Sequence, residues 1–185
     1  MRTQYYTATS VDGYIADPDD GLEWLLQLEQ DAEVERRYAQ FLAATGALVM
    51  GSTTYRWLHR EVLRGDPSRW PYEQPTWVFS SRPQEPVDGH DIRFVSGPVA
   101  PVHTAIAAEV PEGQNLWLVG GGDLVGQFLD AGLLDDLLLG VAPVLLGAGA
   151  PLLPRRVSDP PLRLVEATAA GPFALLTYAV QRPAR

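Results

Sequence analysis

The chain has 185 residues and no cysteine, which excludes disulfides and thiolate chemistry. Positive charge is also scarce. Fourteen Lys and Arg face 23 Asp and Glu, for a formal net charge of −9. Nucleic-acid binding rests on basic side chains that neutralise phosphates, so so acidic a chain is a poor candidate for it. No apolar run reaches the ~18 residues of a membrane span. The segment from Met1 to Tyr6 lacks the apolar stretch of a signal peptide, so a cytoplasmic protein is expected. His59, His90 and His103 show no metal-ligand spacing and there is no H-E-x-x-H, so no metal site is expected. Three phosphate- or ester-directed signatures are missing as well: the P-loop, the Rossmann G-x-G-x-x-G and the G-x-S-x-G elbow.

What is present suits one folded domain over residues 1–185. Hydrophobic residues make up 46%, enough for a sizeable core, and the charged fraction of 20% argues against disorder. Residues 3–9 read as a strand rich in β-formers, followed by a Ser10-Val11-Asp12-Gly13 turn. Residues 31–44 carry Val34, Tyr38, Phe41 and Leu42 at helical spacing, with Gly46 placed as the stop. Further strands are read at 47–50, 76–80, 92–95 and 116–119. Helices are read at 100–109, with Val102, Ala105 and Ile106 inward, and after Gly122, with Leu124, Val125, Phe128 and Leu129 on one face. Residues 137–146, 162–168 and 173–181 close the chain as β-structure, the last two as a hairpin around Gly171-Pro172. Segments 64–74 and 83–89 read as surface loops. Short apolar strands alternating with helices imply an α/β fold with a mostly parallel sheet, and the hairpin adds antiparallel edge strands.

Three strand ends carry candidate chemistry. Gly120-Gly121-Gly122-Asp123 joins an apolar strand to an amphipathic helix; glycine lets a ligand approach the backbone, and free N–H groups there suit phosphate oxygens. A tight turn with no ligand is the plainer alternative. Met50-Gly51-Ser52-Thr53-Thr54 repeats the arrangement with three hydroxyls, which either cap a helix or bind phosphate. Ser80-Ser81-Arg82 ends a third strand, where an arginine fork matches phosphate geometry or is a solvated loop residue. An anionic ligand would meet an opposing long-range field, so any such site must rely on these local donors.

Together these stretches resemble the dihydrofolate reductase superfamily, and more closely its branch related to the reductase domain of bacterial riboflavin biosynthesis. The marks are Thr9 to Ala16, Val49 to Tyr55, Val78 to Arg82, Trp117 to Leu124 and Pro143 to Gly149, in order along nearly the whole chain. The resemblance implies a dihydrofolate reductase-like fold that binds NADPH. Gly51, Ser52, Thr53 and Thr54 on one side, and Val119, Gly120, Gly121, Gly122, Asp123 and Leu124 on the other, would hold the pyrophosphate around a cis Gly120–Gly121 peptide. Ser80, Ser81 and Arg82 would approach the adenosine ribose and its 2′-phosphate, and Ala8, Ile15 and Ala16 the nicotinamide. The family often has arginine directly after the glycine of the second turn, where this chain has Ser52, so preference for NADPH falls to Arg82 with help from Arg56.

The implied reaction is hydride transfer to 5-amino-6-(5-phosphoribosylamino)uracil, with dihydrofolate or another small substrate as alternatives. A non-catalytic NADP(H)-binding sensor is the reading from a different class. Proton transfer is assigned to Asp12 or Glu29, each with a plainer alternative: a turn-stabilising Asx residue for Asp12 and a solvated helix face for Glu29. Trp24 would sit on the substrate loop, with Asp31 just beyond Glu29. A homodimer is implied by the same resemblance, and the apolar stretch Val141 to Leu153 either covers the cleft or enters a subunit contact.

Overall fold

The computed structural model describes residues 1–29 and 31–182. In chain order the elements are β1 (Thr3–Ser10), β2 (Tyr14–Ala16), α1 (Glu23–Leu26), α2 (Ala32–Ala43), β3 (Thr45–Gly51), α3 (Ser52–Trp57), β4 (Thr76–Phe79), β5 (Ile92–Val95), α4 (Val99–Glu109), β6 (Asn115–Gly120), α5 (Gly122–Asp130), β7 (Asp136–Ala142), β8 (Ala150–Pro151), β9 (Arg163–Ala170) and β10 (Phe173–Ala179). The main sheet has eight strands in the order β5-β4-β3-β6-β1-β7-β10-β9. From β5 to β7 every neighbouring pair is parallel; β10 and β9 then add antiparallel to that edge. Parallel neighbours need crossover connections; helices supply most of them, and a loop over residues 80–91 joins β4 to β5. This is the α/β architecture expected from the alternating pattern, with the hairpin where Gly171-Pro172 placed it.

Side-chain alternation along the strands sends apolar groups to both faces. On one face, Tyr5, Val49, Trp77, Leu118 and Leu139 pack under α4 and α5, whose Ile106, Val125 and Phe128 are fully buried. On the other, Leu48, Met50, Val78 and Trp117 meet Phe41 of α2 and Tyr55 of α3. An aromatic ladder joins them: Tyr6 stacks on Phe41 at 4.5 Å, Phe41 meets the edge of Trp117 at 5.3 Å, and Tyr72 meets it at 5.4 Å. The Trp117 indole N–H donates to the Tyr6 carbonyl at 3.0 Å, so its one polar atom is satisfied.

Several local expectations are corrected. The 64–74 segment is not only surface: a short turn at Pro67–Arg69, capped by Asp66, delivers Trp70 and Tyr72 into the core. Val87 does the same for the second loop. Gly46 is not a helix stop. The helix closes at Ala44 with ordinary dihedrals, and Gly46 lies in β3, where a Cβ would stand 2.6 Å from Gln114 Oε1 and 2.8 Å from Val110 Cγ1. In α4 the buried residues are Val99 and Ile106, while Ala105 is exposed. Strand β7 ends at Ala142 rather than Leu146, and residues 143–153 leave the sheet as a strap.

The N-terminal end of the parallel strands is closed by polar groups matched to one another. Arg2 forks onto Asp136 at 2.7 and 2.6 Å, and Gln4 Nε2 donates to the same carboxylate at 3.0 Å. Burial alone would raise the Asp136 pKa, but the bonds from Arg2 and Gln4 outweigh it and hold the carboxyl below its ordinary value. Asp135 accepts from the Thr3 N–H at 2.9 Å, and Thr3 Oγ1 lies 2.9 Å from His103 Nε2.

Candidate active site

At the opposite end, the carboxyl ends of β4, β3, β6, β1 and β7 lie side by side, each ~4.8 Å from the next. Open parallel sheets place ligands at this edge. The sheet order therefore sets the order of the candidate residues. Ser80–Arg82 follow β4, Ser52–Thr54 follow β3, Gly121–Leu124 follow β6, and Ala8 lies near the end of β1.

The two glycine turns touch. Met50 pairs with Gly120 in the sheet, and a Cβ on Gly120 would lie 3.1 Å from Thr54 Oγ1. The Gly120–Gly121 peptide is cis, as the resemblance implied. Above Gly121 there is open space, with no atom within 4 Å of a Cβ built there. Gly122 is the reverse case: its Cβ would stand 2.3 Å from the Pro151 carbonyl oxygen and 2.7 Å from that of Leu152. One glycine thus opens the cradle and the next lets the strap close its back.

Neither helix in these turns has a side-chain cap. α3 starts from Gly51 and α5 from Gly121, both in extended conformation with no capping hydrogen bond. In α2, by contrast, Asp31 caps by accepting from the Glu33 N–H at 2.8 Å. Ser52, Thr53 and Thr54 are therefore not capping residues; they occupy the first helical positions, where backbone N–H groups have no intrahelical partner. The Asp123 carboxylate turns to Arg155 at 3.1 Å and Gln127 at 3.2 Å, and Leu124 buries its side chain in the core, so these two offer a ligand their backbone N–H groups. Val119 is half-buried against the aromatic face of the sheet. Beyond β4, Ser80 Oγ donates to the Arg82 carbonyl at 2.7 Å and accepts from Gln84 Nε2 at 2.9 Å, so it shapes the loop. Ser81 and Arg82 are exposed.

Toward β1 the strap completes the edge. Ile15 and Ala16 belong to β2, which pairs with β8 through Tyr14 and Pro151, and Ala16 and Ala150. The Leu152 N–H donates to the Gly13 carbonyl at 2.9 Å, and the Tyr5 hydroxyl to the Leu152 carbonyl at 3.2 Å. Asp12 ties the strap at its start. Its carboxylate accepts from Ser10 Oγ at 2.6 Å, from the Gly147 N–H at 2.7 Å and from the Leu146 N–H at 3.1 Å. The Ser10 bond, then the backbone bonds, hold its pKa below the ordinary carboxylate value. Asp12 thus clips the turn after β1 to the strap through three accepted hydrogen bonds.

Glu29 is also corrected. It is exposed and lies between α1 and α2, not on a helix. Nearby lies a buried apolar cluster: Trp24 packs with Ala142 and Phe173, flanked by Ala8, Val34 and Leu146. The Trp24 indole Nε1 is buried with no hydrogen-bond partner, one unmatched donor in this cluster. The sequence reading named Trp24 and Ala8 separately; that they meet in one cluster with Val34, Ala142, Leu146 and Phe173 appears only in three dimensions. Among the described residues, no group of three or more His, Cys, Asp or Glu is arranged to hold a metal ion. No helix there is long and apolar enough to cross a membrane.

A mixed sheet of this order, with a C-terminal antiparallel hairpin and a cradle of two glycine turns, has the dihydrofolate reductase-like fold. The chain belongs to the RibD C-terminal domain family, whose model matches residues 70–176. It is 30% identical over 178 residues to the protein YwjB of Bacillus subtilis, covering 96% of this chain and 97% of that one. A putative riboflavin biosynthesis protein from Shewanella sp. PV-4 superposes with a TM-score of 0.80 at 28% identity, over 98% of this chain and all of that one. The dihydrofolate reductase of Enterococcus faecalis, solved in complex with NADP(H), superposes at 0.61 with 15% identity, over 96% and 95% of the two chains, and shares the fold. The family is one of RibD-like reductases.

Proposed function

We propose that this chain is an NADPH-dependent reductase acting on a pyrimidine- or pterin-type substrate, with 5-amino-6-(5-phosphoribosylamino)uracil as the best match. The carrying observation is the pair of uncapped, glycine-led helix starts that meet at Gly120 and Thr54 beneath open space over Gly121. That arrangement fits an anionic pyrophosphate: backbone N–H groups from Gly122 to Leu124 on one side, and hydroxyls and N–H groups of Ser52 to Thr54 on the other. When bound, the nicotinamide supplies the hydride. The chain's own residues orient and enclose. Ala8, Ile15 and Ala16 flank the reactive end and exclude water, and the Asp12 clip and the β2–β8 pairing hold the strap against it. With Asp12 engaged and Glu29 exposed, the proton that accompanies hydride is taken from water at the open end of the cleft. A homodimer in a cytoplasmic setting belongs to the same proposal and is checked by sedimentation.

The test is NADPH oxidation with a panel of pterins and pyrimidine ribosylamines. Turnover with one member is expected. No turnover with any, while NADPH still raises the melting temperature, would favour the second reading, a cofactor-binding sensor. That reading draws on one observation: of the two carboxylates considered for proton transfer, Asp12 is engaged by Ser10 and the strap and Glu29 is exposed off the helices. No thermal shift with NADPH or NADH would reject both.

A further inference from the structure

Of the two helices that open on the cradle, α5 alone carries a carboxylate in its first turn. α3 begins Ser52-Thr53-Thr54 with no acid, whereas α5 begins Gly122-Asp123-Leu124. An acid in that position steadies a helix, because it faces the positive end of the helix dipole. It also competes there with any anion that the free N–H groups of the turn would hold. The Asp123 side chain is 71% exposed, so burial does not neutralise it. In a chain of net charge −9, the wider field adds to that opposition.

Arg155, two residues past the strap, reaches back over α5. Its Nη2 donates to Asp123 Oδ1 at 3.1 Å, its Nε to Asp130 Oδ2 at 2.8 Å and its Nη1 to the Pro154 carbonyl at 3.0 Å. Gln127 Nε2 donates to the second Asp123 oxygen at 3.2 Å. Both oxygens of this carboxylate are therefore engaged by groups further along the helix. Asp123, Gly126 and Asp130 share one face, being three and then four residues apart. The guanidinium lies on Gly126 between the two acids: a Cβ there would stand 2.7 Å from Arg155 Cζ, 2.9 Å from Nε and 3.0 Å from Nη1. Gly122, one turn earlier, makes room in the same way for the Pro151 and Leu152 carbonyls. α5 thus carries a trough in which the strap and then the guanidinium lie. The Arg155 side chain is 25% exposed, so the trough holds it as well as its ion pairs do.

We propose that Arg155 is a positioning residue for the pyrophosphate of the dinucleotide: by neutralising Asp123 and drawing its carboxylate along α5, it leaves the first N–H groups of that helix free for an anion. The inference rests on the reductase reading above. Arg155 acts through Asp123 and touches no part of the cofactor. Asp130 closes the same helix two turns later, ~10 Å along the axis, and anchors the guanidinium without facing the cradle. The pattern in sequence is an acid, a glycine three residues on and a second acid four beyond that, with the arginine 25 residues after the last.

The experiment is equilibrium titration of the full chain with NADPH and NADH, in low salt and again at ~0.5 M, where the screening length is only a few ångströms. The variants are Arg155→Met, Arg155→Met/Asp123→Asn, Arg155→Met/Asp130→Asn and Gly126→Ala. In low salt Arg155→Met should bind NADPH roughly threefold to tenfold more weakly than wild type, the size of one uncompensated charge beside a helix end. The same loss is expected for NADH, since the two cofactors share the pyrophosphate. Adding Asp123→Asn should restore most of it, adding Asp130→Asn should not, and high salt should shrink it below about twofold. Gly126→Ala keeps every charge and displaces the guanidinium. It should lower affinity in the same direction while the melting temperature holds, because alanine favours the helix, and it carries the test if Arg155→Met fails to fold. A loss that survives Asp123→Asn, that Asp130→Asn repairs equally, or that ignores salt makes Arg155 a structural tie and overturns the inference. A loss confined to NADPH overturns it too, as does wild-type affinity in Arg155→Met or Gly126→Ala; in each case the reductase reading stands. Wild type binding neither cofactor removes that reading, and the inference with it.

Discussion

The two ends of one parallel sheet are built on opposite principles. At the amino ends of β1 and β7, Arg2, Gln4, Asp135 and Asp136 satisfy one another. At the carboxyl ends, α3 and α5 start from glycines with no cap, Gly121 faces open space, and Arg56 meets only hydroxyls. Buried polar groups in a folded protein are nearly all paired, so a concentration of unpaired donors at one edge marks where something else supplies the partner. The closed end holds the fold, and the open end is where the proposed anion would bind.

The sharpest test of that contrast uses adjacent glycines. Gly122→Ala drives a methyl to 2.3 Å from the Pro151 carbonyl oxygen, so the strap must move; a loss of ~3 kcal/mol in unfolding free energy is expected, with cofactor binding abolished. Gly121→Ala meets no protein atom and should keep the melting temperature while lowering NADPH affinity at least tenfold, since its methyl enters the ligand's space. Urea unfolding and titration separate the two. If both variants merely unfold, the open cradle is only a tight turn.

At the closed end, Arg2→Ala leaves the buried Asp136 without its main partner. A loss of ~2 kcal/mol is expected, with NADPH affinity unchanged, and a fall in affinity would break the division between the ends. The Asp12 clip gives a smaller effect visible in pH dependence. Its folded pKa is depressed, so its contribution is present above the ordinary carboxylate value of ~3.9 and is lost as pH falls through the lower folded value. Asp12→Asn should flatten that acid limb of the stability curve and leave the shape of the turnover profile near neutrality unchanged. A changed turnover profile would restore Asp12 as a proton carrier. Smallest of all, Glu29→Gln at its exposed position should alter neither melting temperature nor turnover.

Much of the fold was readable because its signals are local. β3, β4 and β6 are buried on both faces and so appear as apolar runs, and the turns after β3 and β6 declare themselves by glycine. What sequence missed is non-local. β2 and β8 have three and two residues and find each other only across the chain. Trp70 and Tyr72 sit among prolines that read as loop, yet their partners Tyr55 and Trp117 hold them in the core. Gly46 follows a helix and imitates a stop, while its true constraint is the crowding by Val110 and Gln114. Asp12 reads as a turn residue or a catalyst because its partner Leu146 is 134 residues away. In the candidate site, the two glycine turns were legible and the cluster around Trp24 was not, since the first are short motifs and the second is made of single residues gathered by the topology.

The central claim is most directly tested by a crystal structure of the chain soaked with NADPH. The pyrophosphate is expected between Gly51–Thr54 and Gly120–Leu124, and the nicotinamide against Ala8 and Ile15. Cofactor bound elsewhere, or a phosphate turn left without phosphate while the cofactor is held by other strands' ends, would contradict it.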